Sequence, residues 1–139
     1  MKRLLGLDLG SVTCGVSVSD PLGMIASPVE TLRFEEDDFD ACWQQLKKHI
    51  DNYDIDTVVL GLPKHMNNDI GVRGQISLDF KAYLEDKGLK VIMMDERLTT
   101  KMAERYLIQA DMSRKKRKKV IDQMAAVQIL QSYLDRENF

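Results

Sequence analysis

The sequence predicts an α/β fold in which three antiparallel strands precede parallel strands, with helices covering the faces of the sheet. Three strand-like segments joined by short turns open the chain. After residue 33, helical and strand-like patterns alternate. Because a strand–helix–strand connection pairs its two strands in parallel, the later part of the sheet should be parallel. At 139 residues, the chain suits one compact domain, which we expect to span residues 1–139.

Apolar runs and turn residues mark the first three strands. Residues 3–9 are almost continuously apolar and end at a Gly-Ser turn, and residues 15–19 alternate in polarity. These two segments are expected to pair as a hairpin. A third strand is expected over residues 24–32, where Pro28 interrupts the pattern. Because proline cannot donate to a ladder, this strand should lie at a sheet edge or end early.

The second half begins with an amphipathic helix after the acidic residues 35–38, whose charge suits a helix start. Strands are expected at residues 57–60 and 89–94, with a helix between them that ends near Gly88. The apolar faces of the two helices contain the large side chains Phe39, Trp43, Leu46 and Ile50, and then Ile76, Phe80, Tyr83 and Leu84.

Two further helices are expected to complete the chain. Thr99 or Thr100 is a suitable N-cap for a helix that continues to about Gln109, and the last helix is expected from about Lys119 to Asp135. No apolar stretch approaches the roughly 18 residues of a membrane-spanning helix. No secretory leader is evident either, so we expect a soluble, cytoplasmic protein with no membrane partner.

Composition limits the possible partners. The net charge is −2, so any affinity for nucleic acid must come from a local basic patch. Cys14 and Cys42 lack the spacing of a zinc site, and we interpret both as reduced, small hydrophobic residues. Reduced cysteines are consistent with the cytoplasm.

Three acidic residues stand in apolar surroundings, namely Asp8, Glu96 and Asp122. A carboxylate in such a place is costly unless a cation or hydrogen bonds compensate it. Each has a structural explanation: backbone donors of the turn at residues 10–11 for Asp8, an ion pair with Arg97 or a lysine for Glu96, and the helix dipole for Asp122. Jointly they favour a Mg²⁺ or Mn²⁺ site, because hard cations prefer oxygen ligands. Two such ions can promote phosphodiester hydrolysis.

The expected elements place each acid. Asp8 shares a strand face with Gly6 and Gly10, which leaves room for an ion and a phosphate. Glu96 follows the carboxyl end of a parallel strand, where open α/β sheets bind ligands, and Asp95 should point to the other face. Asp122 shares a helical stripe with small and apolar residues, namely Ala125, Ala126, Ile129 and Tyr133.

Residues 114–119 form a run of six cations that leads into the helix carrying Asp122. A mobile, solvated loop is the alternative interpretation. We favour contact with a phosphate backbone, because the rest of the chain is acidic and the run adjoins one of the three acids. Candidate substrate contacts are therefore Arg114, Lys115, Arg117 and Lys118, with Lys64 and Arg97 as weaker phosphate contacts. Gly10 and Thr99 are further candidate substrate contacts.

Four ordered motifs make the chain resemble the YqgF/RuvX family of the RNase H-like superfamily. They are GLDLG at residues 6–10, GLPK at 61–64, DERLTT at 95–100 and KVIDQMAAV at 119–127. The resemblance implies a five-stranded mixed sheet flanked by helices on both faces. It also implies that Asp8, Glu96 and Asp122 meet at a nuclease site holding one or two Mg²⁺ or Mn²⁺ ions. The implied role is trimming of pre-16S ribosomal RNA during ribosome biogenesis, with pre-ribosomal particles as possible partners and Holliday junction resolution as the alternative.

One segment departs from the family pattern. Family members often read G-L-P-x-N-M-[ND]-G after the fourth strand, whereas this chain has His65 and Asn68 at the positions of the Asn and the final Gly. Asn68 can still adopt a left-handed turn. We assign His65 no role.

Two further alternatives stay open. Nothing in the sequence separates structured RNA from branched DNA as substrate, because both contain the same phosphodiester. Residues 6–11 also resemble the first phosphate loop of actin-like ATPases and sugar kinases, but those proteins close two such domains around a nucleotide. A non-catalytic module that binds nucleic acid or nucleotide is thus the remaining class.

Overall fold

The computed structural model describes residues 3–63, 71–95 and 114–138, with the side chains of the last range described from residue 124 onward. The elements in chain order are β1 (Leu4–Leu9), β2 (Thr13–Ser19), β3 (Ala26–Arg33), α1 (Phe39–Asn52), β4 (Thr57–Leu62), α2 (Gly71–Asp86), β5 (Lys90–Asp95) and α3 (Arg114–Asn138). The helix predicted from Thr99 or Thr100 to about Gln109 lies outside the described residues.

The five strands form one mixed sheet in the order β3-β2-β1-β4-β5. β1 pairs antiparallel with β2, and β2 pairs antiparallel with β3. β4 lies parallel to β1 and to β5. The predicted mixed topology is therefore confirmed, including the edge position of β3 that Pro28 indicated.

The α1 and α2 helices cover one face of the sheet. Asp38 caps α1 by accepting a hydrogen bond from the Ala41 N–H at 3.0 Å. α2 ends before Gly88, whose φ of +91° is the left-handed conformation typical of a residue that follows a helix. The core on this face includes buried Leu5, Leu7, Leu46, Phe80 and Leu84.

The α3 helix covers the opposite face. Its buried residues Ile129, Leu130 and Leu134 form a cluster with Ala26 of β3 and Val59 of β4, and Leu4 of β1 packs against this cluster. The carboxyl end of α3 lies at the β2–β3 turn, where Gln131 Nε2 donates to the Met24 carbonyl at 2.9 Å. The helix therefore runs antiparallel to β1, and its amino end points towards the carboxyl end of that strand.

The last helix begins earlier than the sequence indicated. It starts at Arg114, whereas the expected start was near Lys119, so the basic run lies within the helix and is not a loop leading into it. Lysine and arginine are good helix formers and provide no start signal, which explains the error. β4 also continues two residues further than expected, to Leu62, and β5 includes Asp95.

Both cysteines are buried and free. The thiol of Cys42 and burial raise the pKa of Cys14 well above its usual value. Cys14 therefore stays a protonated, small side chain in the core, as its sequence context predicted. Among the described helices, none combines the length and the apolar character needed to cross a lipid bilayer.

Candidate active site

Asp8 lies on a floor of glycines near the carboxyl end of β1. Gly6 and Gly10 are two residues away on the same strand, and Gly15 is its register partner on β2. On the other side, Gly61 follows Leu60, the register partner of Leu7, so the continued register sets it beside Asp8. None of these glycines places a side chain against the half-buried carboxylate.

The turn after β1 does not neutralise Asp8 in the way the structural explanation required. The Gly10 N–H donates to the Thr13 carbonyl at 2.7 Å and so is not directed at the carboxylate. Within residues 3–63, 71–95 and 124–138, no hydrogen bond or ion pair to the Asp8 side chain is found. A half-buried carboxylate without such a partner is suited to bind a cation.

Helix α3 approaches β1 very closely at Gly6. A Cβ atom added to Gly6 would lie 2.7 Å from Leu130 Cβ and 2.9 Å from the Ala126 carbonyl oxygen. The Ser17 hydroxyl, fully buried beside Gly6, donates to the same Ala126 oxygen at 2.7 Å. These contacts fix the axial position of α3 along β1.

That axial position relates residue 122 to Asp8. Asp8 is two residues beyond Gly6, about 6.6 Å along the strand. Residue 122 is four residues before Ala126, about 6 Å along the helix in the same direction, because α3 is antiparallel to β1. Positions 8 and 122 are therefore at the same level on facing elements.

The longer helix also removes one explanation for Asp122. Counted from Arg114, residue 122 is two turns inside α3. The favourable effect of a helix dipole on an acid is confined to the first turn. A dipole effect therefore does not account for an acidic residue at this position.

Asp95 lies on the other face of the sheet. In β5, Val91 and Met93 pack in the core covered by α1 and α2, whereas Met94 packs against the α3 cluster. Asp95 has the same parity as Val91 and Met93, so it does not share a face with Asp8. This agrees with the orientation that the sequence predicted.

A chain of polar contacts holds the turn that follows Asp8. The Asp37 N–H donates to the Ser11 carbonyl at 2.8 Å, and Asp37 adopts a left-handed φ of 51°. Arg73 of α2 donates to Asp37 Oδ1 at 2.8 Å. Sequence reasoning missed this network, because its two side chains are 36 residues apart and neither belongs to a local motif.

The remaining predicted site residues are only partly described. Arg114, Lys115, Arg117 and Lys118 lie in the first turns of α3, which extend beyond the carboxyl end of β1. Glu96, Lys64, Arg97 and Thr99 lie outside the described residues. Among the side chains that are described, no group of three metal-binding residues occurs. The three-acid site therefore stays a prediction, of which the structure describes Asp8 and the backbone of residue 122.

The chain matches the family model described as "RuvX: Holliday junction resolvase" over residues 2–136. A Listeria monocytogenes protein named "Putative pre-16S rRNA nuclease" is 53% identical over 98% of this chain and 99% of its own length. A Geobacillus protein of the same name is 54% identical over 96% of this chain and 97% of its own length. The predicted class is therefore confirmed: the chain belongs to the RuvX family, and its relatives are named as nucleases.

A solved structure supports the fold. The RuvC protein of Thermus thermophilus, in a complex with a Holliday junction substrate, has a TM-score of 0.57 and 13% identity. The alignment covers 99% of this chain and 97% of RuvC. At this identity the similarity establishes the shared RNase H-like architecture.

Proposed function

We propose that this protein is a divalent-metal-dependent nuclease that hydrolyses a phosphodiester bond in structured RNA. The observation that carries the proposal is Asp8, a half-buried carboxylate on a glycine floor. Asp8 is level with residue 122 of the facing helix α3, and residue 122 is two turns from the start of that helix. An acid at each of these positions would face the same small, open volume.

We propose that Asp8, Glu96 and Asp122 hold one or two Mg²⁺ or Mn²⁺ ions. Continued alternation along β5 would bring residue 96 back to the face that carries Asp8, one residue beyond Asp95. Three carboxylates are the hard oxygen donors that these ions prefer. When bound, the ions supply a nucleophilic water and stabilise the leaving oxygen. The protein's own contribution is to position the carboxylates and leave space for phosphate.

The basic run would hold the phosphate backbone. Six cations at the amino end of a helix repel one another and oppose the helix dipole. A polyanion bound near the carboxyl end of β1 would relieve both effects. Gly10, Lys64, Arg97 and Thr99 remain proposed phosphate contacts.

We propose a ribosomal RNA precursor as the substrate, met either as free RNA or within a pre-ribosomal particle in the cytoplasm. The names of the curated relatives support pre-16S rRNA. The description of the family model favours a second candidate, cleavage of branched DNA at the same site. The RNA and DNA candidates differ in the structure around the phosphodiester bond and not in the hydrolysis of that bond.

The direct test compares both substrates in one assay. Purified protein with Mg²⁺ or Mn²⁺ is incubated with an end-labelled pre-16S rRNA fragment and with a matched four-way DNA junction. We expect cleavage of the RNA, and a loss of more than about 100-fold in Asp8→Asn, Glu96→Gln and Asp122→Asn. Loss of even an outer-shell metal partner typically costs 10–100-fold. Cleavage of the junction alone would select the second candidate.

A binding measurement and a matched variant control this test. Calorimetric titration with Mn²⁺ should show weaker binding in Asp8→Asn, while the free energy of unfolding in EDTA stays the same or rises. Asp95→Asn makes the same charge change one residue from Glu96 but on the other face, so it should retain cleavage. RNA binding without metal-dependent cleavage would instead identify a binding module.

A further inference from the structure

A pocket of about 470 Å³ opens between the edge strand β3 and helix α3. Residues 28–31 of β3 form one wall, and Met124 and Val127 of α3 form the other, with Val16 of β2 at the base. The lining is mostly apolar. Its volume lies within the range typical of small-molecule sites, about 300–1,000 Å³.

A β-bulge creates the strand side of this pocket. Val16 pairs with Glu30, but the next residue, Ser17, pairs with Pro28, which leaves Val29 without a register partner. Bulges bend an edge strand and are frequent beside active sites. The opening beside the bulge is large enough to admit a small molecule or a single nucleobase.

Cross-strand register links the pocket to the candidate active site. Asp8 pairs with Gly15, and Gly15 pairs with Thr31, so the three residues form one row on the α3 face. At about 4.8 Å per strand, Thr31 is about 10 Å from Asp8. Met124 and Val127 lie just after residue 122 on the same helix. The pocket thus adjoins Asp8 on the β3 side.

We propose that this pocket holds an unstacked nucleobase of the RNA strand that is bound at Asp8. The inference rests on the proposed nuclease function and adds the state of the substrate: the strand is unpaired beside the cleaved bond. A base removed from its stack needs apolar cover, which Pro28, Met124 and Val127 provide. The phosphates lie beyond the carboxyl end of β1, where α3 begins with the basic run.

The chemistry of the lining also limits how the base is read. None of the described residues that line the pocket is aromatic, so these residues would hold the base by shape and apolar contact. The Thr31 hydroxyl can donate or accept one hydrogen bond. We therefore expect a tolerance for several bases and a strong preference for single-stranded over duplex RNA.

Photocrosslinking tests the location in the unmodified protein. A short single-stranded RNA carrying one 4-thiouridine is bound in EDTA, irradiated and digested, and the crosslinked peptides are identified by mass spectrometry. Crosslinks to residues 28–31 or to Met124 and Val127, lost on competition with excess unlabelled RNA, support the pocket. Crosslinks confined to other peptides, or an absence of RNA binding, overturn it.

A matched pair of variants on β3 tests the contribution to catalysis. Thr31→Phe places a ring in the pocket, whereas Ser27→Phe adds a ring at an exposed position of the same strand outside it. We expect KM for single-stranded RNA to rise about tenfold in Thr31→Phe, with kcat unchanged, and neither constant to change in Ser27→Phe. Equal effects of the two variants overturn the proposal.

An abasic substrate separates base binding from a general effect on the fold. If the pocket holds a base, RNA with an abasic residue at the crosslinking position should bind wild type and Thr31→Phe equally. A tenfold difference that persists with the abasic RNA overturns the proposal. If the protein crosslinks RNA through the pocket but cleaves no substrate with Mn²⁺, the pocket stands and the proposed nuclease function fails.

Discussion

The sheet face covered by α1 and α2 is filled with large side chains, whereas the face covered by α3 has small residues where the helix crosses β1. On the first face, Phe80 is fully buried and its ring lies 5.0 Å from that of Phe39. On the second, Gly6, Ser17 and Ala126 bring helix and strand backbones into contact. One face stabilises the fold by burial, and the other sets a distance between backbones.

The α3 face itself changes along β1. Near the start of the strand, Leu4 packs with Ile129, Leu130 and Leu134 in an apolar cluster. Towards its end, glycines surround Asp8. The proposed metal site therefore lies where β1 and its neighbours carry glycines, and the apolar cluster at the other end of β1 supports the helix that faces it.

The largest effect on stability is expected from Phe80→Ala. Removing a fully buried ring should lower the free energy of unfolding by about 3–5 kcal/mol. Urea denaturation measures this, and kcat of the remaining folded protein should be unchanged. Val72→Ala, on the same helix at a site 76% exposed, should change stability by less than about 0.5 kcal/mol. A loss below about 1 kcal/mol in Phe80→Ala would contradict the role of this face.

A smaller loss of stability with a larger loss of activity is expected from Gly6→Ala. The added methyl group would meet the Ala126 backbone and Leu130, so α3 must move away, at a cost of about 1–3 kcal/mol. The same movement separates positions 8 and 122 and should reduce Mn²⁺ affinity. Gly10→Ala is the comparison, because its Cβ would meet the Thr13 hydroxyl at 3.1 Å, which must shift by only a few tenths of an ångström, so we expect a smaller loss of stability than in Gly6→Ala. Wild-type metal binding in Gly6→Ala would show that the backbone contact does not position the site.

Sequence reasoning succeeded where the signal is local. Apolar runs bounded by glycine or proline located the strands, and alternation along β1 set Asp8 between Gly6 and Gly10. The bulge at Val29 was not predicted, although Pro28 indicated an edge strand. A proline shows that a ladder is interrupted but not which residue is left unpaired.

Features that depend on contacts between distant residues were beyond sequence reasoning. The hydrogen bond from Ser17 to Ala126 joins residues 109 apart, and it fixes how far along β1 the helix lies. The start of α3 was also missed, because propensity favours Lys and Arg in a helix while electrostatics disfavours them at its amino end. The position of residue 122 relative to Asp8 follows from both, so the geometry of the site required the structure.

Arg73→Met should have a moderate effect on activity, because Arg73 of α2 contacts Asp37, which in turn holds the turn after Asp8. Arg73 and Asp37 are about one-third exposed, so losing the pair should cost about 1 kcal/mol or less. Because Asp37 also holds the Ser11 carbonyl beyond Asp8, we expect kcat to fall severalfold with KM unchanged, and Arg73→Lys to restore part of it. Arg136→Met breaks an exposed ion pair and should change neither constant. A change confined to stability would limit Arg73 to a structural role.

The smallest effect should come from Glu30→Gln, which tests the link between the edge strand and α1. Burial raises the pKa of Glu30, but its contacts with His49 and with Lys48, at 3.4 Å, outweigh this and leave the pKa below its usual 4.5. Because the pKa of Glu30 is lower in the folded state than in the unfolded state, the ionised carboxylate stabilises the fold at any pH above the unfolded-state pKa. This contribution is lost as the pH falls through the folded-state pKa.

Urea denaturation between pH 3 and pH 7 should therefore show wild type more stable than Glu30→Gln by about 0.2–1 kcal/mol at pH 7, with the difference disappearing in acid. Glu36→Gln is the matched control, since it makes the same change at an exposed residue. A difference between wild type and Glu30→Gln that stays constant over this range would mean that the Glu30 charge does not contribute. The edge strand would then depend on packing against α1, as the rest of that face does.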